Sequence, residues 1–166
     1  MLKIAKSMSE LPVRQLLEVY RDTIFRGTGG EYSTQRALDM AQDAFYDDLR
    51  FGFFSIPRAM YCLWMVEGEC VSALRLEPWQ DGWLLAALET APDRRNQGHA
   101  RALLTAVQGY LGDQGPVKLY SHIHCRNTAS IHVHERCGFR KIADTAKLLD
   151  GTVTSQMGTY LFERSK

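Results

Sequence analysis

The sequence predicts an α/β domain on a mixed, mainly antiparallel central sheet of about seven strands, flanked by about four helices. Three observations carry that expectation. Strand-like apolar runs recur seven times, three of them in succession with only tight turns between. Runs with helical spacing fall before, between and after them. The length is 166 residues, 45% apolar and 23% charged, with no internal repeat, low-complexity tract or linker, which suits one domain over residues 1–166.

Leu2 and Ile4 alternate with Lys3 in a first short strand. Ser9 offers an N-cap to a helix whose stripe is Val13, Leu16, Leu17, Tyr20 and Ile24, ended by Gly27, Gly29 and Gly30. A second helix reads from Ser33 or Thr34, with Ala37, Met40, Ala41, Ala44, Phe45 and Leu49 on its apolar face. At Met60 the period changes, and residues 60–66, 70–76 and 83–91, joined by turns at Glu67-Gly68-Glu69 and Gln80-Asp81-Gly82, form an antiparallel meander. Ala100, Leu103, Leu104, Val107 and Leu111 are the stripe of a third helix, with Gly112 as its C-terminal stop. A strand over 117–124, a helix over 128–137 capped by Asn127 and closed by Gly138, and two final strands over 139–149 and 157–163 complete the order.

Composition excludes several classes of function. The longest apolar run, residues 59–66, has eight residues, against roughly 18 for a membrane-spanning helix. The basic start of the chain lacks the apolar core of a secretory signal, so the cytoplasm is the expected location, with no membrane partner. Cys62, Cys70, Cys125 and Cys137 have no zinc-site spacing and read as free, buried thiols. Net charge is +1, divided as −4 over residues 1–90 and +5 over residues 91–166. That is too weak for a nucleic-acid stripe but suits an anion site in the second part.

The stretch 91–104 is where that site belongs: a strand end, a polar loop with one central glycine, then a helix. Helix N-terminal amides point out of such a junction and form a phosphate site, and Gly98 removes the side chain that would block close approach. Arg94, Arg95 and Arg101 surround it. The spacing is neither that of a P-loop nor that of a dinucleotide fold, so another diphosphate ligand is required.

Arg95-Asn96-Gln97-Gly98-His99-Ala100 resembles the pyrophosphate signature Arg/Gln-x-x-Gly-x-Gly/Ala of the GNAT superfamily of acyl-CoA-dependent N-acyltransferases. The flanks agree. Leu88-Glu89-Thr90-Ala91-Pro92 is similar to that family's preceding Leu-x-Val-x-Pro. Residues 127–139 keep Asn127, Gly138 and Phe139 of its Asn-x-x-Ala-x-x-x-Tyr-x-x-x-Gly-Phe, with Ser130 and His134 in place of alanine and tyrosine.

The resemblance implies a sheet splayed between strands 4 and 5, with acetyl-CoA wedged there as acyl donor. It places Asn96, Gln97, Gly98, His99 and Ala100 on the pyrophosphate with Arg95 and Arg101 beside it, Leu88 and Thr90 along the pantetheine arm, and Asn127 and Ser130 as further contacts. A strand amide there would polarise the thioester carbonyl. The activity implied is direct acetyl transfer to a primary amine of a small molecule or peptide, by a monomer or homodimer. The family builds its acceptor wall from the segment corresponding to residues 26–34, and Asp47 and Asp48 could attract a cationic amine or form a solvated acidic face.

Proton handling is where the chain departs from the pattern. His134 stands where the family's tyrosine protonates the leaving thiolate; an imidazolium could do the same, or His134 is a partly exposed helix residue with no such part. Glu89, His122 and His124 lie on the two splayed strands as candidate bases, with a water relay as the alternative. A CoA-binding or interaction domain without turnover is therefore the competing reading. Metal binding is not expected, because His132 and His134 diverge by about 200 degrees on a helix while His122 and His124 share a strand face. Asn127 also reads simply as a helix cap, and the aromatic residues as core.

Overall fold

A computed structural model describes residues 1–27 and 35–165. The order is β1 (Leu2–Ala5), α1 (Val13–Val19), α2 (Arg21–Gly27), α3 (Gln35–Asp47), β2 (Met60–Val66), β3 (Glu69–Trp79), β4 (Gly82–Thr90), α4 (His99–Gly112), β5 (Val117–His124), α5 (Thr128–Arg136), β6 (Arg140–Ala143), β7 (Ala146–Lys147), β8 (Val153–Thr154) and β9 (Met157–Arg164). Seven strands form one sheet in the order β1-β2-β3-β4-β5-β9-β6, and β7 and β8 form a separate ribbon.

Two features of β4 shape the site. Its pairing with β5 is parallel and covers only Trp83↔Leu119, Leu84↔Tyr120 and Leu85↔Ser121, although β4 continues to Thr90 and β5 to His124. The strands therefore part after Leu85, as expected from the resemblance. On the other edge, Arg75 pairs with Ala86 and Ala73 with Glu89, so β4 carries an extra residue in a bulge where Ala87 takes a φ of 51°. The buried Tyr20 hydroxyl donates to the Ala87 carbonyl at 2.7 Å.

The sheet divides two cores. Leu103, Leu104, Val107 and Leu111 of α4 pack on Leu74, Leu76, Leu85 and Leu119. Each such side chain contributes about 1.5–3 kcal/mol when fully buried. On the other face, Leu16, Val19 and Ile24 join Leu49, Phe53, Tyr61 and Leu63.

Several expectations are corrected. The first predicted helix is two, α1 and α2, which makes five α-helices among the described residues. Pro12, not Ser9, occupies the N-cap of α1, and Ser9 lies in a preceding 3₁₀ turn. The predicted start of the next helix at Ser33 or Thr34, and Gly29 and Gly30, lie outside the described residues. On α3 the core side is Leu38, Ala41 and Phe45, whereas Met40 and Ala44 are exposed, because this helix covers only the rim of the second core. Gly112 ends α4 without a left-handed turn, and the tip of the Arg164 side chain occupies the place of its missing Cβ. The predicted strand over 139–149 breaks at Asp144 into β6 and β7. Cys62, Cys70 and Cys137 are buried thiols, but Cys125 is exposed at the turn after β5.

Candidate active site

The first cleft lies where β4 hands over to α4. The chain passes through a 3₁₀ turn at Pro92–Arg94, and left-handed residues at Asn96 (φ 61°) and Gly98 (φ 82°) aim it into the start of α4. Loops that alternate this way gather backbone amides into an anion-binding concavity, here backed by a helix of 14 residues. A Cβ built on Gly98 meets nothing within 4 Å, so the space a side chain would take is cleft.

The cleft has a volume of about 1040 Å³. Leu88, Glu89, Thr90, Arg95, Asn96, Gly98, His99, Ala100, Arg101, Asn127 and Ser130 all line it. Gln97 does not; its amide reaches back to the Asp93 carbonyl at 3.4 Å. Five arginines, Arg26, Arg94, Arg95, Arg101 and Arg136, face two carboxylates, Asp22 and Glu89, so the lining is cationic.

Arg95 is less available than its place in the motif suggests. Its guanidinium lies 2.6 Å from Asp22 and 3.9 Å from Glu89, and its Nε donates to the Thr90 carbonyl at 3.2 Å. Glu89 also accepts from Thr23 at 2.6 Å. Asn127 caps α5 as expected, accepting from the Ser130 amide at 3.1 Å, and Gly138 takes the left-handed turn at its end, with a φ of 84°.

The histidines separate. His134 is buried rather than partly exposed, packs against Phe139, and has Nδ1 2.8 Å from the Ser130 carbonyl. A carbonyl only accepts, so Nδ1 carries the proton and Nε2, which has no partner, is bare. Burial pulls the His134 pKa below its ordinary value, with the Ser130 hydrogen bond opposing. His122 is half-buried, edge-on to Trp79 at 5.8 Å, and its pKa is also lowered by burial. His124 accepts from the Arg126 amide at 3.1 Å, and His132 accepts from Arg136 Nε at 2.8 Å. No group of three or more metal-ligating side chains occurs among the described residues.

His122 lines a second, smaller cleft of about 460 Å³, where β4 and β5 diverge. Residues 84–87 of β4 form its floor, and Leu148, Leu149 and Asp150, in the turn between β7 and β8, form its rim. The two clefts thus divide β4 at the bulge, residues 84–87 on one side and 88–90 on the other. Asp48, by contrast, is tied to Arg75 at 2.7 Å.

Sequence reasoning missed Asp22 and Phe25 of α2, and Ala129, Val133 and Arg136 of α5, all of which line the first cleft; Arg26, expected in the acceptor wall, joins Asp22 and Phe25 there, and residues 28–34 of that wall lie outside the described residues. A signal existed: each trio follows helical spacing and lies on one face. It could not be read until the cleft gave that face a purpose.

Residues 18–139 match the acetyltransferase (GNAT) family. No curated protein matches the chain. Among solved structures, the PaiA N-acetyltransferase of Thermoplasma acidophilum, in complex with coenzyme A, is 12% identical with a TM-score of 0.65, over 99% of both chains. The ribosomal-protein-S18-alanine N-acetyltransferase of Escherichia coli is 18% identical, TM-score 0.62, over 100% of this chain and 96% of that one. An aminoglycoside 6'-acetyltransferase type Ii is 13% identical, TM-score 0.63, over 99% and 96%. At such identities the likeness is one of fold. No described helix is long and apolar enough to cross a membrane.

Proposed function

Because the chain belongs to the GNAT acetyltransferase family, we propose that it moves an acetyl group from acetyl-CoA directly to a primary amine, acting in the cytoplasm with residues 1–166 as one unit. The observation that carries this reading is the cationic cleft built on the end of β4 and the start of α4, just past the point where β4 parts from β5. The residues fit the donor: the open space at Gly98 and the arginine excess suit a diphosphate. Acetyl-CoA supplies a thioester; the C–N bond forms as the C–S bond breaks, nitrogen loses one proton and sulfur takes one.

In this reading the amides near Gly98, His99 and Ala100 hold the diphosphate, with Arg94, Arg101 and Arg136 countering its charge. Asn96, Asn127 and Ser130 line its path. Arg95 fastens the loop to α2 through Asp22, and Glu89 is a fastening residue too, since both its oxygens face donors. The Thr90 carbonyl is taken by Arg95, so Leu88 is the better backbone partner for the pantetheine arm. Tyr20 pins the bulge from below; burial raises its pKa well above 10, so it stays a donor.

His122, neutral and half-buried at the strand divergence, is placed to accept the amine's proton. His134 has no proton on Nε2 to give, so we assign it to holding α5, and the thiolate, whose thiol has a pKa of about 8.5 like cysteine's, is protonated by water. That same bare Nε2 favours one second reading, a CoA-binding domain without turnover. Calorimetric titration with acetyl-CoA, followed by thiol release over a panel of primary amines, separates the two. We expect saturable one-to-one binding and turnover. Binding without turnover supports the second reading, and no binding by the folded protein overturns both.

A further inference from the structure

The second cleft has a chemistry that the first does not share. Its wall is Leu84, Leu85, Ala86, Ala87, Leu148 and Leu149, and its polar groups are one imidazole, His122, and one carboxylate, Asp150. Leu84 and Tyr120 face each other across the parallel pair, and His122, two residues beyond Tyr120, projects to the same side of the sheet, where Trp79 meets it edge-on. Leu85 and Leu119 turn the other way into the core beneath α4. This cleft therefore lies on the other side of the bulge from the diphosphate loop, against residues 84–87, which run directly into residues 88–90 of the first cleft.

The rim is held in shape. The Gly151 amide donates to the Leu148 carbonyl at 2.9 Å, the Leu148 amide to the Thr152 carbonyl at 2.8 Å, and the Thr152 amide to Asp150 at 2.8 Å. A turn so fastened presents Leu149 62% exposed at the mouth. An exposed leucine above an apolar floor gains burial only when an apolar body fills the gap. The Asp150 carboxylate, stabilised as an anion by the Thr152 amide, supplies one negative charge beside it. Among the described residues the cleft holds no second carboxylate for a polycation and no cation for an amino-acid carboxylate. Its volume of about 460 Å³ is at the small end for a ligand site.

We propose that this cleft takes the acceptor, a singly charged primary amine carried on an apolar or aromatic body, and that Leu148 and Leu149 select it. The inference rests on the acetyltransferase reading and adds the substrate class. Its test is thiol release from acetyl-CoA with 2-phenylethylamine, spermidine, kanamycin and L-alanine as probes. The expected kcat/KM for 2-phenylethylamine exceeds each of the others by at least about tenfold. Leu149→Glu, a change at an exposed position that leaves the fold intact, should raise the KM for 2-phenylethylamine by about tenfold and shift preference toward spermidine. The Kd for acetyl-CoA, read by calorimetry on the same protein, should stay unchanged. Faster turnover of spermidine, kanamycin or alanine overturns the inference, as does an unaltered preference in Leu149→Glu. Acetyl-CoA binding with no turnover of 2-phenylethylamine overturns it too. Loss of acetyl-CoA binding in the wild type is a different result, which removes the acetyltransferase reading itself.

Discussion

The two clefts, which we propose take the diphosphate and the acceptor, share β4 and differ in how the chain makes them. The first gathers one continuous stretch, residues 88–101, whose left-handed Asn96 and Gly98 shape the loop, and flanks it with side chains of α2 and α5. The second is built of side chains from three distant segments, β4, His122 and residues 148–150. A loop that offers main-chain amides depends on φ angles and on the absence of a side chain at Gly98, so changes there are felt through glycine. A site made of side chains depends on what each presents, and single residues tune it. The comparison predicts that damage to one cleft should leave the other's ligand bound as before.

Gly98→Trp should break the first cleft most sharply. The side chain would fill the open space beside the loop and reduce acetyl-CoA affinity at least about a hundredfold, equivalent to roughly 2.8 kcal/mol. The strain of a left-handed tryptophan adds about 1–2 kcal/mol of destabilisation, visible as a modest drop in Tm. The Leu149→Glu variant is the counterpart, acting on the amine alone. Tyr20→Phe tests the bulge that separates the two on β4. It keeps the ring packing but leaves the Ala87 carbonyl without its donor, at a cost of about 1–2 kcal/mol measured by chemical denaturation. Turnover should fall in that variant while acetyl-CoA affinity holds.

The part of the molecule legible in sequence is the part whose information is local. Residues 95–100 can be read because a helix start, a left-handed glycine and flanking arginines follow one another along the chain. The meander of β2, β3 and β4 is legible for the same reason, its turns being tight. The break at Tyr20 between α1 and α2 was not, because the apolar stripe runs through it unbroken; nor was the bond from the Tyr20 hydroxyl to the Ala87 carbonyl, 67 residues away in sequence. Nor was Arg95's engagement by Asp22, since the motif fixes where the arginine stands and α2 decides what it holds. The rim at Leu148 and Leu149 was read as strand, whereas β7 ends at Lys147 and these residues lie in the turn that returns to β8.

Smaller effects sharpen the same contrast. His122 and His134 both have pKa values lowered by burial, so the unfolded chain binds protons that the folded one refuses. Stability contributed by the two neutral rings is complete above the unfolded value of 6.5 and is lost as pH falls below it. Thermal melts taken from about pH 7.5 down to about pH 5.5 should show a falling Tm, with part of the slope removed in His134→Gln. Glu77→Gln should do the reverse at neutral pH. Burial raises the Glu77 pKa and one of its oxygens has no partner, so removing the charge should stabilise the fold by about 1 kcal/mol. Neither clefts' ligand affinity should move with it.

At the centre of this reading, one chain carries a donor cleft opened by Gly98 and a separate acceptor cleft rimmed by Leu149, on either side of the Ala87 bulge. Calorimetric titration of acetyl-CoA into the wild type, Gly98→Trp and Leu149→Glu tests it most directly. The account predicts one-to-one binding by the wild type, the same affinity in Leu149→Glu, and no measurable heat of binding in a folded Gly98→Trp. Equal affinity in all three proteins, or weakening in Leu149→Glu alone, would contradict it.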